Sequence, residues 1–357
     1  MSLPFSRRLL CTLALTVLWC LAPSRLAAEL VWSPDTGWRV EGGALAGVVG
    51  VEGRTALDLM NRARDRENRG DLTGAIKLYN QVAKRYNNSI YAPEALYRAG
   101  QLHLRRQQLV KAFNSFQQVL SRYPNTNRFN EIIGEQYRIA SSMLDGARNR
   151  SWGWLPSFTQ RNRAIEFFEI ILFNAPFSDY APLALMNIAR GHQRMGQQEE
   201  AIYALDRMIN TYPQSLLAPD AYLKLAETHA SLVQGPYYDQ ASTKEAITYF
   251  QDFMILFPSD PGIGDSEKGL QAMRTMLAES KIKMADFYFY KRDNYTAARV
   301  FYNEAITVEP NSSAAQLARE RLAAVERKAA AIQPAPVGEP GDAAPAAPAK
   351  KKRFFFF

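Results

Sequence analysis

The sequence predicts an all-α chain, a right-handed superhelical solenoid of about six helix pairs closed by a C-terminal capping helix. Three observations carry that expectation. First, between Ala181 and Ser215, residues Leu185, Ile188, Ala189 and His192 share one face of a first helix, and Ala201, Leu205 and Met208 share one face of a second. Pro213 then ends the pair, because proline lacks the N–H that a helix interior needs. Second, the same grid recurs. It finds Pro93, Leu96, Gly100, His103, Ala112, Phe116, Val119 and Pro124 earlier in the chain. Later it finds Pro219, Leu225, His229, Ala246, Phe250, Phe253 and Pro258. Third, Leu59, Ala63, Gly70, Ala75, Tyr79 and Val82 extend it upstream, with Asn87 where the proline would stand.

Small residues where two helices cross, larger ones where they diverge and a closing proline, at a period of about 34 residues, make up the tetratricopeptide spacing. A single pair of this kind cannot bury its apolar face and must stack on neighbours, so residues 54–331 are expected to form one solenoid. Its first two pairs span residues 55–86 and 91–123. In the third, Tyr137, Arg138 and Ala140 echo Tyr97, Arg98 and Gly100, and the second helix resumes at Arg163 and closes at Pro176. Between them an insertion near residues 146–160 carries Trp152, Gly153, Trp154, Leu155 and Pro156, either as a docking knob or folded back on the solenoid. The fifth pair holds a second insertion with Gly235, Pro236, Tyr237 and Tyr238. A long helix over 268–290, a partner over 295–308 closed by Pro310, and a final helix over 312–328 with Ala315, Leu317, Ala318, Leu322 and Val325 on one face complete it.

The ends differ in character. Arg7 and Arg8 precede an apolar run from Leu9 to Leu21 and the small residues Ala27 and Ala28, the layout of a secretory signal over residues 1–28. Both cysteines, Cys11 and Cys20, lie within it. Cleavage after Ala28 leaves no thiol, while Cys20 is alternatively a lipid attachment site. Residues 29–53, rich in glycine and carrying Trp32 and Trp38, read as a linker, or else as an extended arm whose tryptophans dock on the first repeat or on a partner. Residues 332–357 are rich in proline and alanine and are expected to be a disordered tether. It ends in Lys350, Lys351, Lys352, Arg353, Phe354, Phe355, Phe356 and Phe357, which suit an anionic membrane surface, each cation contributing about 1 kcal/mol there, or a partner's groove.

The formal charge of +8 invites a nucleic-acid reading. Without Arg7, Arg8 and Arg25 of the signal, 40 basic residues face 35 acidic ones, and four of the surplus cations are in the terminal run. The body is near neutral, which argues against nucleic acid as a partner. The histidines His103, His192 and His229 each stand ten residues after a repeat proline, at equivalent places in separate pairs on the order of 10 Å or more apart, so they are expected to be structural. No HExxH, phosphate-cradling glycine loop, cysteine pair or serine elbow is present. The expectation is a non-enzyme with no cofactor, no metal and no small-molecule substrate.

What remains is a concave groove lined by the first helices. Tyr97, Gln101 and Arg105 in the second pair and Met186, Arg190, Gln193 and Arg194 in the fourth are expected to face it. Aromatic, thioether and guanidinium groups together suit an extended peptide with apolar side chains and a carboxylate.

The solenoid resembles the outer-membrane assembly lipoprotein family BamD, most clearly over 215–310, on motifs that lie within residues 222–310. The likeness rests on YLKLAETHASLVQGPYYDQASTKEAITYFQDFMILFPSD and on LAESKIKMADFYFYKRDNYTAARVFYNEAI, with Ala278, Glu279, Ala285, Phe287, Tyr288, Lys291, Arg292, Tyr295 and Ala298 matching the family's long helix, aromatic turn and short helix. SIYAPEALYRAG is similar to it more loosely, and also to the Tol-Pal-associated periplasmic repeat protein. The resemblance implies an exported scaffold at the inner face of the outer membrane, in contact with that membrane. It implies that N-terminal repeats face unfolded outer-membrane protein segments and that C-terminal repeats hold a membrane-embedded β-barrel assembly subunit. The alternative is a periplasmic organiser of the Tol-Pal or cell-wall machinery.

Overall fold

The computed structural model describes residues 29–41, 51–147, 150–151, 155–156, 160–236 and 240–332. Two compact units divide the chain, Met1–Leu217 and Ala218–Phe357. In the first, a hairpin of β1 (Glu29–Ser33) and β2 (Gly37–Glu41) precedes four helix pairs: α1 (Val51–Asn68) with α2 (Leu72–Arg85), α3 (Tyr91–Arg105) with α4 (Leu109–Arg122), α5 (Phe129–Leu144) with α6 (Arg161–Asn174), and α7 (Tyr180–Arg194) with α8 (Gln198–Thr211). The short strands β3 (Arg150–Ser151) and β4 (Leu155–Pro156) pair between α5 and α6. The second unit holds α9 (Ala218–Leu232) with α10 (Gln240–Leu256), α11 (Ile263–Lys291) with α12 (Tyr295–Val308), and the closing helix α13 (Ser313–Ile332). The fold is an all-α tetratricopeptide solenoid.

The repeat grid is the core. Ala75, Tyr79 and Val82 on α2 are fully buried, and so are their counterparts Ala112, Phe116 and Val119 on α4, Ala164, Phe168 and Ile171 on α6, and Ala201, Leu205 and Met208 on α8. In the second unit Ala246, Phe250 and Phe253, then Ala298, Tyr302 and Ala305, repeat the pattern. Each large side chain in the series contributes roughly 1.5–3 kcal/mol by leaving water. The small positions are required by close approach: a Cβ on Gly100 would lie 2.6 Å from the Phe116 ring. Neighbouring pairs lock through stacked rings, Phe113 on Phe167 with centroids 3.7 Å apart.

Local signals set the turns. Asp71 caps α2 by accepting the Gly74 N–H at 2.8 Å, and Asn294 caps α12 by accepting the Ala297 N–H at 3.0 Å. The turn inside each pair needs a residue in the left-handed region. Gly70 (φ +81°) and Gly196 (φ +74°) supply it at no steric cost, whereas Gln107 (φ 55°) and Asp293 (φ 49°) adopt it with a Cβ. The 29-residue α11 is longer at both ends than expected; Leu270 packs with Phe250 of α10, and Ile282, Ala285 and Phe289 pack with α12.

For residues 29–41 the linker reading gives way to the alternative of an arm whose tryptophans meet the first repeat. Residues 29–41 form a hairpin in which Trp32 pairs with Trp38, and α1 begins at Val51. Trp38 is 3% exposed within the cluster that includes Leu59, Met60 and Ala63, and its backbone N–H donates to Asn61 Oδ1 at 2.8 Å. Five-residue strands carry too little alternation to be read alone; docking on α1 holds them. Trp152, Gly153, Trp154, Tyr237 and Tyr238, the signal with Cys20, and the tail from residue 333 lie outside the described residues.

Candidate functional site

The first helices α1, α3, α5 and α7 turn one face to their partners and leave a polar face, and on that face carboxylates and guanidinium groups form a ladder. Glu67 on α1 pairs with Arg64 at 2.9 Å and with Arg105 of α3 at 3.2 Å, and accepts the Tyr79 hydroxyl at 3.3 Å. Glu94 on α3 accepts from Arg98 Nε at 2.8 Å and from Arg128 Nε, just ahead of α5, at 2.9 Å. Arg128 also meets Glu131 at 2.9 Å. Asn187 of α7 donates to the Tyr137 hydroxyl of α5 at 2.8 Å. Asp145, after α5, receives both Arg190 at 3.2 Å and Arg194 at 3.0 Å from α7.

The residues expected to face the groove take part in this ladder or pack beside it. Tyr97 is 1% exposed: its ring packs on Phe116, Arg128 lies over it at 4.5 Å, and its hydroxyl donates to Glu131. Gln101 donates to the same hydroxyl at 2.6 Å. Arg105, Arg190 and Arg194, expected to await a ligand carboxylate, already hold Glu67 and Asp145. Gln193 is half-buried and engaged, and Met186 is half-buried. The residues thus gather in two groups, Tyr97 with Gln101 on α3 and Arg190 with Arg194 on α7. The partners Glu67, Glu94, Arg128, Glu131 and Asp145 escaped the sequence reading. The signal that finds two of these contacts is separation: Glu94–Arg128 and Tyr97–Glu131 are each 34 residues apart, one repeat length.

Electrostatics follow from the geometry. Burial pushes the Tyr97 phenol well above its ordinary value, and the hydrogen bond to Glu131 adds to this. Burial alone would raise Glu131, but hydrogen bonds from Tyr97 and Arg128 outweigh it and hold the carboxyl below its usual range. Arg128 is raised, Glu94 and Glu131 overcoming the opposing effect of burial.

The histidines serve turns and packing. His103 Nδ1 meets Gln108 Oε1 at 2.7 Å, and His192 Nδ1 meets Gln197 Oε1 at 2.9 Å, the same bond at equivalent places. Burial lowers the His103 pKa, with Lys111 and Arg106 assisting and the Gln108 bond opposing. His229 stacks against Tyr249 with centroids 5.5 Å apart.

Apolar surface is exposed elsewhere. In the first unit a groove of about 670 Å³ runs between the loops after α6 and α8, lined by Phe177, Pro182, Leu183, Pro213, Leu216 and Leu217 among others. Phe177 is 99% exposed and Leu216 98%. The two loops are tied by the Tyr212 hydroxyl, which donates to the Pro176 carbonyl at 2.6 Å. In the second unit Phe287, Tyr290 and Val300 stand out on α11 and α12, with the Arg292 guanidinium 5.3 Å from the Phe287 ring. Of the residues carrying the family likeness, Ala278, Ala285 and Ala298 are buried beneath this surface. Among the described residues no helix is long and apolar enough to cross a membrane.

Residues 159–335, which run from just before α6 to just past α13, match the YfiO family, described as an outer membrane lipoprotein; residues 94–126 match a tetratricopeptide repeat. The outer membrane protein assembly factor BamD of Caulobacter vibrioides is 23% identical over 127 residues, covering 36% of this chain and 42% of that protein. BamD of Xylella fastidiosa is 20% identical over 156 residues, covering 41% and 53%. The chain thus spans about half the length of the curated relatives it matches. A tetratricopeptide repeat protein from Parabacteroides merdae is 14% identical over 76% of this chain and 99% of its own, with a TM-score of 0.30.

Proposed function

We propose that this BamD-like tetratricopeptide protein acts as a non-catalytic scaffold in outer-membrane β-barrel assembly, in the periplasm at the inner face of the outer membrane. The observation that carries the reading is the YfiO match across α6 to α13, residues 159–335. Two surfaces divide the work. The groove around Phe177 and Leu216 receives apolar side chains of unfolded outer-membrane protein segments. The aromatic surface of α11 and α12 around Phe287 holds the membrane-embedded assembly subunit.

Physical chemistry supports that division. Exposed apolar patches mark interaction sites because their burial on binding is favourable without directional demands. Unfolded segments offer such side chains in many sequences, so a groove built from Phe, Pro and Leu suits a client of variable sequence. The charged ladder contributes rigidity instead, since its guanidinium groups are already satisfied within the chain. Recovery of the tagged full chain from envelope extracts tests the reading: enrichment of a β-barrel assembly subunit is expected. Enrichment of Tol-Pal or wall-synthesis proteins in its place would favour the organiser alternative.

A further inference from the structure

A second groove, remote from the surfaces above in chemistry, lies between α2 and α4 with a volume of about 440 Å³. Buried Leu96 and His103 of α3 form its floor. Its exposed walls carry Lys84 from α2, Lys111 and Arg122 from α4, and the carboxamides of Asn80, Asn114 and Gln118. No acidic residue lines it. Among the described residues no carboxylate pairs with Lys84, Lys111 or Arg122, whereas the cations of the first-helix ladder, Arg64, Arg98, Arg105, Arg128, Arg190 and Arg194, all do pair.

The repeat supplies an internal comparison. Counted from the equivalent alanines Ala75 and Ala164, Asn80 corresponds to Glu169; counted from Ala112 and Ala201, Gln118 corresponds to Arg207. Between α6 and α8, Glu169 and Arg207 join in a two-pronged ion pair at 2.7 and 3.2 Å, which bridges the two second helices. Between α2 and α4 the same two positions hold neutral amides, and the furrow stays open with no carboxylate on its cations among the described residues.

Spacing defines what fits. Lys111 and Arg122 are separated by about 16 Å along α4 at 1.5 Å per residue, and Lys84, equivalent in the repeat to Ser121, stands one register place from Arg122 and lines the same groove. An extended chain advances about 3.3 Å per residue, so carboxylates five residues apart cover the same span. The amides between the cations can donate to and accept from an extended backbone. We infer that the α2–α4 groove is a docking site for an acidic, extended polypeptide segment, with one carboxylate at Lys111 and another at Lys84 and Arg122. This site is independent of the assembly reading and uses neither of its surfaces.

Fluorescence anisotropy of the full chain with a labelled Ser/Gly/Thr peptide carrying two glutamates five residues apart tests it. The spaced diacid should bind at least tenfold more tightly than the same peptide with glutamines, and more tightly than one with adjacent glutamates, and its affinity should fall as salt is raised. Neutralising the cations together (K84Q, K111Q and R122Q) should erase the margin. The pair N80E with Q118R, which installs the Glu169–Arg207 bridge and keeps every cation, should erase it too, with circular dichroism unchanged. Should the triple variant fail to fold, K111Q alone should lower the margin. Equal affinity for the three peptides, or full binding by the bridged variant, would overturn the proposal. So would flotation with phosphatidylglycerol vesicles that depends on the three cations when the diacid shows no preference.

Discussion

Arg128 reaches back one repeat length to Glu94, its Nε–H 2.9 Å from a carboxylate oxygen of a residue 34 positions earlier. Glu94 is buried and takes Arg98 on its other oxygen, so removing it takes the acceptor from the Nε–H of both guanidinium groups at once, while Arg128 keeps Glu131. Glu94→Ala is expected to cost about 1–3 kcal/mol, the penalty for leaving partly buried charged donors unmet. Glu94→Gln, which keeps an acceptor, should cost less. Thermal unfolding followed by circular dichroism checks the order of the two.

Acid should weaken the same junction. Glu131 has a folded pKa below its unfolded value of about 4.3, so its stabilisation is complete above that pH and is lost as pH falls through the folded value. Tyr97→Phe removes one of the hydrogen bonds responsible. The variant should be less stable than the parent at pH 7, and the gap should shrink as pH is lowered below about 4. A constant gap in urea unfolding across that interval would contradict it.

Alkali acts through the phenols. Burial first, and then Glu67, Glu131 and Asp286, raise Tyr79, Tyr97 and Tyr302 far above the ordinary value of 10.0. A raised folded pKa means that stability is intact below pH 10 and declines above it. Unfolding midpoints measured from pH 8 to 11 should therefore fall only past about 10.

Trp38 fastens the hairpin to α1. Trp38→Ala should cost about 3–5 kcal/mol locally, the range for emptying a large buried aromatic site. Hydrogen exchange should speed up in the β1–β2 ladder and in α1, with α6 to α8 unaffected. Trp32→Ala, which loses a tilted ring contact with Trp38 and the Arg64 guanidinium 4.3 Å away, should cost about 0.5–1 kcal/mol.

The elements divide by how much of their stabilisation is local to the repeat. Ala112, Phe116 and Val119 could be placed in the core from spacing alone, because each repeat meets the same packing problem and solves it with the same residue sizes. The β1–β2 hairpin could not, since its strands depend on Asn61, Arg64 and Arg98 from helices that follow. The partners of the expected groove residues were hidden for a related reason. Spacing assigns Tyr97 and Arg105 to a face of α3, but whether that face is free depends on the charges α1 and α5 present to it, here Glu67 and Glu131. Phe177 and Leu216 sit in inter-pair loops where no periodicity applies, so only the folded loops bring them to one groove.

Surface substitution separates client capture from folding. Phe177→Asp with Leu216→Asp alters two side chains that are almost wholly exposed, so stability should change by less than about 0.5 kcal/mol for each. Retention of urea-unfolded outer-membrane protein on immobilised chain should drop several-fold. Unchanged retention would remove the groove from the client site.

Photocrosslinking in intact cells bears most directly on the scaffold reading. A benzophenone amino acid at position 287 should join the chain to a membrane-embedded β-barrel assembly subunit, and one at position 177 should join it to newly exported outer-membrane proteins. If mass spectrometry finds Tol-Pal or wall-synthesis proteins at both positions, and no assembly subunit or barrel precursor at either, the assigned function is wrong.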